Sequence, residues 1–299
     1  MIQEIKPRTF YNQFHEERIG KGDSIICFHN DLIYVNQEKN DLEYISYEAF
    51  CTWQEEMNGT GKPVKEGTGD NSLAEKEFHF IYLFSIDEQK YFLLREDVEL
   101  SLPGFTYCKM FDVRRRAPKY QVMAASTAWH LYVWYRDNRF CGRCGQETLE
   151  DREERMLKCP HCGNMIFPKV APAVIVGVID GDKILMTKYA HREYKRYALI
   201  AGFNEIGETI EETVEREVME EVGLHVKHIR YYKSQPWGFD QNLLLGFFCE
   251  LDDSHKIHMD EKELALAEWV RREDIPDYKE HLSLTHEMMQ LFKNGKEPL

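Results

Sequence analysis

The chain has 299 residues, of which 43% are hydrophobic and 13% are aromatic, a composition typical of a globular protein with room for two cores. Its formal net charge of −14 argues against non-specific binding to nucleic acid or to anionic membranes. No apolar run reaches the ~20 residues of a membrane-spanning helix, and the first residues lack a signal-peptide core. We therefore expect a cytoplasmic protein without a membrane partner, whose cysteines outside metal sites are free thiols.

The first 136 residues contain no motif with a readable chemistry. Two aromatic and apolar runs, 78–84 and 90–95, are joined by three polar residues and predict a β-hairpin. The glycine- and lysine-rich stretch 59–71 predicts a loop, and it lacks the spacing of a phosphate-binding P-loop. The stretch 124–136 predicts a helix. These elements indicate a small α+β domain.

Two CxxC pairs follow, separated by fourteen residues. Each pair offers two thiolates from a tight turn, and four thiolates fill the coordination sphere of a tetrahedral Zn²⁺. The sequence therefore predicts a structural zinc ribbon, with two disulfides or a redox CxxC as the alternatives. Acidic residues outnumber basic ones in this stretch, so the ribbon lacks the basic face of a nucleic-acid binder. The predicted zinc ligands are Cys141, Cys144, Cys159 and Cys162.

Beyond the ribbon, apolar runs predict a sheet with a closing helix. A turn signal, Asp180-Gly181, joins the first two runs into a hairpin. The predicted strands are 173–179, 183–187, 243–250 and 268–271, and the closing helix is 281–293. Strands placed around a central helix indicate a mixed α/β fold.

An acidic helix lies between the second and third of these strands. Thr209 and Glu212 have the spacing of a capping box, so the helix begins at Thr209. Gly223 is a left-handed stop, so the helix ends near Val222. A valine at every fourth position provides an apolar stripe for the core.

Three glutamates, Glu217, Glu220 and Glu221, project from one side of this helix. Their carboxylates repel one another, and a hard divalent cation such as Mg²⁺ removes the conflict because it takes carboxylate oxygens and also binds phosphates. The alternative interpretation is a solvated acidic face.

The full pattern around the helix resembles the Nudix box. Gly202, Glu208 and the run from Arg216 to Leu224 match every fixed position of G-x5-E-x7-R-E-U-x-E-E-x-G-U. The Nudix family hydrolyses nucleoside diphosphates linked to another group, with Mg²⁺ or Mn²⁺ on a loop-helix-loop. The resemblance implies an α/β fold, the Nudix α/β/α sandwich, preceded here by a four-cysteine zinc ribbon and a smaller α+β domain.

A second motif, SQPWGFDQN at residues 234–242, resembles the SQPWPFPxS array of the NADH pyrophosphatase subfamily. That subfamily also carries a zinc ribbon before its Nudix domain and a divergent N-terminal domain. The resemblance implies an N-terminal domain at 1–136, a zinc ribbon at 137–168 and a Nudix domain at 169–299. Two family prolines are replaced, by Gly238 and by Asp240, which loosens the loop.

The resemblance also implies roles for single residues. The backbone carbonyl of Ala201 and the carboxylates of Glu217, Glu221 and Glu263 are implied metal ligands. Glu220 is a further ligand or the base that activates water, and Arg216 orients a neighbouring glutamate. The implied substrate-binding residues are Phe167, Gln235, Pro236, Trp237, Gly238, Phe239, Asp240, Gln241 and Asn242.

The implied reaction is metal-dependent hydrolysis of NAD(H) to nicotinamide mononucleotide and AMP, and the same chemistry removes an NAD cap from RNA. Phe167 is implied to lie at an interface with a partner subunit, which indicates a homodimer. The alternatives are a Nudix activity on ADP-ribose, a nucleotide sugar or a dinucleoside polyphosphate, and a non-catalytic module that senses nucleotides or binds nucleic acid. The intact cluster of glutamates argues against a pure sensor.

Overall fold

The chain folds as two compact units. The computed structural model describes residues 1–37, 41–60, 77–191, 196–252, 254–277 and 282–298. One unit, named here the amino-terminal unit, comprises Glu4–Lys169 and Gly238–Asp240. The other, the carboxy-terminal unit, comprises Met1–Gln3, Val170–Trp237 and Gln241–Leu299. None of the helices in the described ranges combines the length and the apolarity needed to cross a bilayer.

The amino-terminal unit combines short strands with three helices in its described part. Its strands are β1 (Phe10–Tyr11), β2 (Ser24–Ile26), β3 (Phe28–His29), β4 (Leu32–Asn36), β5 (Ile45–Ser46), β6 (Phe80–Ile86), β7 (Gln89–Leu94), β8 (Phe105–Lys109), β9 (Leu149–Glu150), β10 (Leu157–Lys158) and β11 (Met165–Ile166). Its helices are α1 (Tyr47–Thr60), α2 (Met110–Val113) and α3 (Lys119–Asp137). The strands form sheets in the orders β1-β6-β7-β2-β5, β3-β4-β8 and β11-β10-β9, so the unit is α+β.

The hairpin predicted in this unit is confirmed, since β6 and β7 pair antiparallel. Asp87 at its turn has a φ of 53°, in the left-handed region that tight hairpin turns use. The helix predicted at 124–136 is also confirmed, although α3 begins five residues earlier, directly after Pro118. The loop expected from residue 59 begins later, because α1 continues through Thr60. The remainder of that predicted loop, 61–71, lies outside the described residues.

The carboxy-terminal unit is built on one six-stranded mixed sheet. Its strands are β12 (Ala171–Asp180), β13 (Lys183–Tyr189), β14 (Ile200–Phe203), β15 (Val226–Trp237), β16 (Asn242–Leu251) and β17 (Leu264–Arg271), and its helices are α4 (Ile210–Val222) and α5 (Leu284–Lys293). The sheet order is β15-β16-β12-β13-β17, with β14 paired to β12. All four strands predicted after the ribbon are confirmed. Helix α5 is shorter than the predicted 281–293, because Ser283 caps it, and residue 281 lies outside the described ranges.

Helix α4 has the boundaries that its capping signals predicted. The side chain of Thr209 accepts from the N–H of Glu212, and the Glu212 carboxylate accepts from the N–H of Thr209. Gly223 ends the helix in the left-handed conformation, with a φ of 66°. The predicted valine stripe is fully buried in a core with β12, β14 and β16, and Glu217 and Glu221 are buried beside it.

Candidate metal centres and substrate array

The four cysteines of the ribbon form one compact cluster. The Sγ atoms of Cys141 and Cys162 lie 3.6 Å apart, those of Cys144 and Cys159 lie 3.5 Å apart, and all four lie within 4.8 Å of one another. Four thiolates bound at ~2.3 Å to a tetrahedral Zn²⁺ lie roughly 3.8 Å from one another. None of the eight cysteines, all within the described ranges, forms a disulfide. The cluster therefore fits a structural zinc ion and not a pair of disulfides.

The backbone presents the sulfurs through two matching turns. In the first turn, Gly145 N–H donates to the carbonyl of Cys141 at 2.8 Å; in the second, Gly163 N–H donates to the carbonyl of Cys159 at 3.0 Å. Both glycines have a φ above 70°, a conformation that favours glycine. The two turns are thus preshaped, and each aims a pair of thiols at one point.

Arg216 is the centre of the carboxylate network on α4. Its Nε and Nη2 donate to the two oxygens of Glu208 at 2.5 and 3.0 Å. Its Nη1 donates to Glu217 at 2.7 Å and to Glu220 at 2.9 Å, and its Nη2 also donates to the carbonyl of Phe203 at 2.9 Å. One guanidinium therefore holds three carboxylates, as a rigid planar donor can.

The charges in this network are unevenly balanced. Hydrogen bonding to Arg216 lowers the pKa of Glu208 to about 2. Burial raises the pKa of Glu217, an effect that Arg216 opposes and that the charges of Glu220 and Glu263 reinforce. Burial thus disfavours the charged form of Glu217, and a bound cation would stabilise that form.

Strand β14 supports the two buried glutamates of the helix. The carboxylate of Glu217 lies directly against Gly202, so that a Cβ at this position would overlap it. The side chain of Glu221 is only 2% exposed, and its Oε1 accepts from the N–H of Ala201 at 3.4 Å. The structure therefore brings together three of the predicted metal-site residues, Ala201, Glu217 and Glu221, along one edge of the sheet.

The other two predicted ligands are more open. Both Glu220 and Glu263 are exposed, and Glu263 lies in the turn that leads into β17. Within the described residues, the ribbon cysteines are the only set of three or more candidate ligands whose donor atoms all lie within 4.8 Å. Glu217, Glu220, Glu221 and Glu263 do not meet that spacing. Their oxygen chemistry fits a hard divalent cation, with two buried donors fixed and two exposed donors able to adjust.

The motif at residues 234–242 is named here the substrate array. Within it, the side-chain amide of Gln235 forms its hydrogen bonds with other residues of the protein. Its side chain is fully buried, and its Nε2 donates to the carbonyl of Leu282 at 2.8 Å and to Gln3 at 3.2 Å. Its Oε1 accepts from the N–H of Leu284 at 2.7 Å. Gln235 thus anchors the start of α5, and its amide does not face solvent.

The rest of the array is divided between buried and exposed side chains. Trp237 ends β15 and is only 7% exposed, and Asn242 begins β16 and is also buried. Pro236 and Asp240 are exposed, whereas Gln241 is partly exposed. The side chain of Trp237, an implied substrate-binding residue, is therefore covered in this structure.

The single turn Gly238–Asp240 packs on α3 of the amino-terminal unit. A Cβ at Gly238 would overlap the carbonyl of Ser126, so the glycine that replaces a family proline permits a close backbone approach. Trp129 Nε1 donates to the carbonyl of Phe239 at 3.2 Å, and the guanidinium of Arg114 lies 5.6 Å from the Phe239 ring centre. The turn is thus fixed by packing and not by proline.

Phe167 follows β11 of the ribbon and is 51% exposed. Three further apolar side chains of the ribbon region are exposed: Phe140, Leu149 and Met165. The ring that was implied to lie at a subunit interface is therefore accessible.

Sequence reasoning missed two features of the site. It gave no function to Gly202, although the first fixed glycine of the box was the available signal. It also assigned Arg216 a glutamate partner without identifying Glu208, whose fixed position in the same pattern pointed to it.

Comparisons with known proteins agree with this architecture. The NUDIX domain family matches residues 169–292, and the NADH pyrophosphatase zinc ribbon domain family matches residues 136–167. The NAD-capped RNA hydrolase NudC of Escherichia coli O157:H7 is 43% identical over 146 residues, which are 49% of this chain and 56% of the relative. The protein of the same name from Escherichia coli O1:K1 / APEC is 42% identical over the same share. The chain thus matches little more than half the length of these relatives.

Among solved structures, the chain is similar to a NUDIX hydrolase from Nitrosomonas europaea. The TM-score is 0.45 with 21% sequence identity, and the match covers 52% of this chain and 91% of the other.

We predict that freshly purified, reduced protein contains one Zn²⁺ per chain, because the four thiols already have the spacing of a closed zinc site. Elemental analysis measures this directly. The Cys159→Ser variant should lose the zinc and melt at a lower temperature, whereas Cys249→Ser, which changes a buried cysteine outside the cluster, should keep the zinc. Wild-type protein without zinc would contradict the assignment.

We predict that Gly202→Ala weakens divalent-cation binding, because the new Cβ displaces the Glu217 carboxylate. Titration with Mn²⁺ should show a loss of roughly tenfold or more in affinity, the scale of a disturbed metal-site residue. Gly22→Ala is the control, since a Cβ there meets nothing within 4 Å. Unchanged Mn²⁺ affinity in folded Gly202→Ala protein would show that Glu217 is not a ligand.

Proposed function

We propose that this chain, which belongs to the Nudix family and carries an NADH pyrophosphatase zinc ribbon, hydrolyses the pyrophosphate bond of NAD(H) to nicotinamide mononucleotide and AMP. The observation that carries the proposal is the Arg216-centred group of carboxylates, with Glu217 packed on Gly202. The two relatives from Escherichia coli are named NAD-capped RNA hydrolases, and an NAD cap contains the same bond, so the proposal includes NAD-capped RNA.

The proposed cation is Mg²⁺ or Mn²⁺, held by Glu217, Glu221 and Glu263 with the carbonyl of Ala201, and Glu220 is a further ligand or the base. These ligands are all oxygens, the donors that both ions prefer. When bound, the cation supplies Lewis-acid activation of the pyrophosphate and of a water molecule. The zinc ion of the ribbon has no such function, because four cysteines leave no open position.

Glu220 is the proposed base. Its carboxylate is exposed to solvent and is held at 2.9 Å by Arg216, so it can accept a proton from a water molecule while it keeps a fixed orientation. The water oxygen forms a bond to one phosphorus, and the bridging oxygen leaves with the other phosphate. Each product then carries one phosphate, as nicotinamide mononucleotide and AMP do.

The proposed organisation keeps an N-terminal domain at 1–136, a zinc ribbon at 137–168 and a Nudix domain at 169–299. A homodimer is part of the proposal, supported by the exposed apolar side chains of the ribbon, including Phe167. A cytoplasmic location is also proposed, supported by the eight cysteines, all within the described ranges, which are free thiols.

A second candidate is a diphosphatase that acts on ADP-ribose, a nucleotide sugar or a dinucleoside polyphosphate. The observation that favours it is the array, in which Trp237 and Gln235 are both buried and so present neither a ring face nor an amide to a nicotinamide. All these substrates contain the same pyrophosphate, so the carboxylate group does not distinguish them.

Chromatographic analysis of products tests the proposal. Purified protein with Mg²⁺ or Mn²⁺ should convert NADH, NAD⁺ and NAD-capped RNA into products that end in a monophosphate. Nicotinamide mononucleotide should be released from NAD⁺ and from the capped RNA, and its reduced form from NADH. ADP-ribose serves as the competing substrate. Cleavage of ADP-ribose with NAD(H) left intact would select the second candidate, and no cleavage of any substrate would contradict both.

Variants connect the activity to the site. Glu220→Gln and Glu221→Gln should each lower kcat by roughly 100-fold or more, because each removes a charge that the reaction uses and preserves side-chain volume. Glu211→Gln is the matched control, since Glu211 is an exposed glutamate in the first turn of the same helix. Equal kcat in all three variants would contradict the assigned roles.

A further inference from the structure

The segment 258–263, named here the Asp260 turn, is attached to the end of α4 by main-chain hydrogen bonds. The N–H of His258 donates to the carbonyl of Val222 at 2.8 Å, and the N–H of Asp260 donates to the carbonyl of Glu221 at 2.9 Å. The last carbonyls of a helix have no partner within it, so the turn satisfies two groups that would otherwise need water. The turn is thereby fixed to the residue whose side chain is a proposed metal ligand.

Gly223 permits this close attachment. It lies in the left-handed conformation, and a Cβ on it would come within 2.9 Å of the Cβ of His258. A side chain at this position would push the turn away from the helix. The glycine therefore ends α4 and also lets the Asp260 turn approach it.

Asp260 shapes the turn through its side chain and its carbonyl. Its Oδ1 accepts from the N–H of Lys262 at 2.9 Å, an Asx-type bond that only a short acceptor side chain can make. Its carbonyl accepts from the N–H groups of Glu263 at 3.2 Å and of Leu264 at 2.9 Å. Ala190 N–H donates to the carbonyl of Glu263 at 2.8 Å, so the backbone of Glu263 is held from both sides.

We propose that Asp260 is a positioning residue for the divalent-cation site, which holds Glu263 beside the carboxylates of α4. Asp260 connects the two proposed ligands directly. Its N–H donates to the carbonyl of Glu221, and its carbonyl accepts from the N–H of Glu263. Leu264, the next residue, is buried in the core at the start of β17 and fixes the other end. Glu263 is exposed, so its backbone geometry, and not packing of its side chain, determines where its carboxylate can reach.

The inference rests on the proposed function, in which Glu263 is a ligand, and binding of the metal alone tests it. Mn²⁺ affinity of the full chain is measured without substrate, by the electron paramagnetic resonance signal of free Mn²⁺. Asp260→Asn keeps the acceptor for Lys262 and loses the charge, whereas Asp260→Glu keeps the charge and loses the short Asx geometry. Asp260→Ala loses both, and Glu261→Gln in the same turn is the control.

Asp260→Glu and Asp260→Ala should bind Mn²⁺ about tenfold more weakly than wild type, as Glu263→Gln should, while Asp260→Asn stays within about twofold. The double variant Asp260→Glu/Glu263→Gln should be no weaker than Glu263→Gln alone, because both changes remove the same contribution. If Asp260→Ala does not fold, the Asn and Glu variants carry the comparison.

Wild-type Mn²⁺ affinity in folded Asp260→Glu protein would overturn the inference, and weaker binding in Asp260→Asn alone would assign the effect to charge. Equal loss in the Asn and Glu variants would also overturn it, because Asp260→Asn keeps the acceptor for Lys262. Wild-type affinity in Glu263→Gln would also overturn it. The failure of the proposed function has a different signature, since Mn²⁺ binding would follow the expected order while NAD(H) stays uncleaved.

Discussion

The site depends on one guanidinium that holds carboxylates which would otherwise repel. Arg216 binds Glu208 through two nitrogens and reaches Glu217 and Glu220 with a third. One positive charge does not balance three negative ones, and the pKa of Glu217 is raised, mainly by burial and further by the charges of Glu220 and Glu263. The same group that fixes the geometry therefore leaves a net negative charge, which the proposed divalent cation would balance.

The surrounding fold keeps this strained arrangement in place. The valine stripe of α4 is buried in the sheet core, so the helix holds its acidic side chains at fixed positions relative to the sheet. Gly202 of β14 leaves room for the Glu217 carboxylate, and Gly223 leaves room for the Asp260 turn. Both glycines are thus points of close approach, Gly202 to the Glu217 carboxylate in the middle of α4 and Gly223 to His258 beyond its end.

Local signals in the sequence predicted those parts of the fold and site that local geometry determines. The limits of α4 follow from Thr209 and Gly223, and the cysteine cluster follows from spacing within a short stretch. The burial of Gln235 could not be predicted in this way, because its partners are Gln3, Leu282 and Leu284, far away in the chain. The continuation of α1 through Thr60 was likewise missed, because Gly59 and Thr60 have low helix propensities and favour a loop.

Thermal unfolding with and without MnCl₂ tests most directly whether the carboxylates of α4 require a cation. A ligand that binds only the folded state raises its melting temperature, so Mn²⁺ should raise that of the wild-type chain. Glu217→Gln removes a charge that burial disfavours, so this variant should melt higher than wild type without metal and gain much less from Mn²⁺. An equal gain in both proteins, or no gain in wild type, would contradict the account.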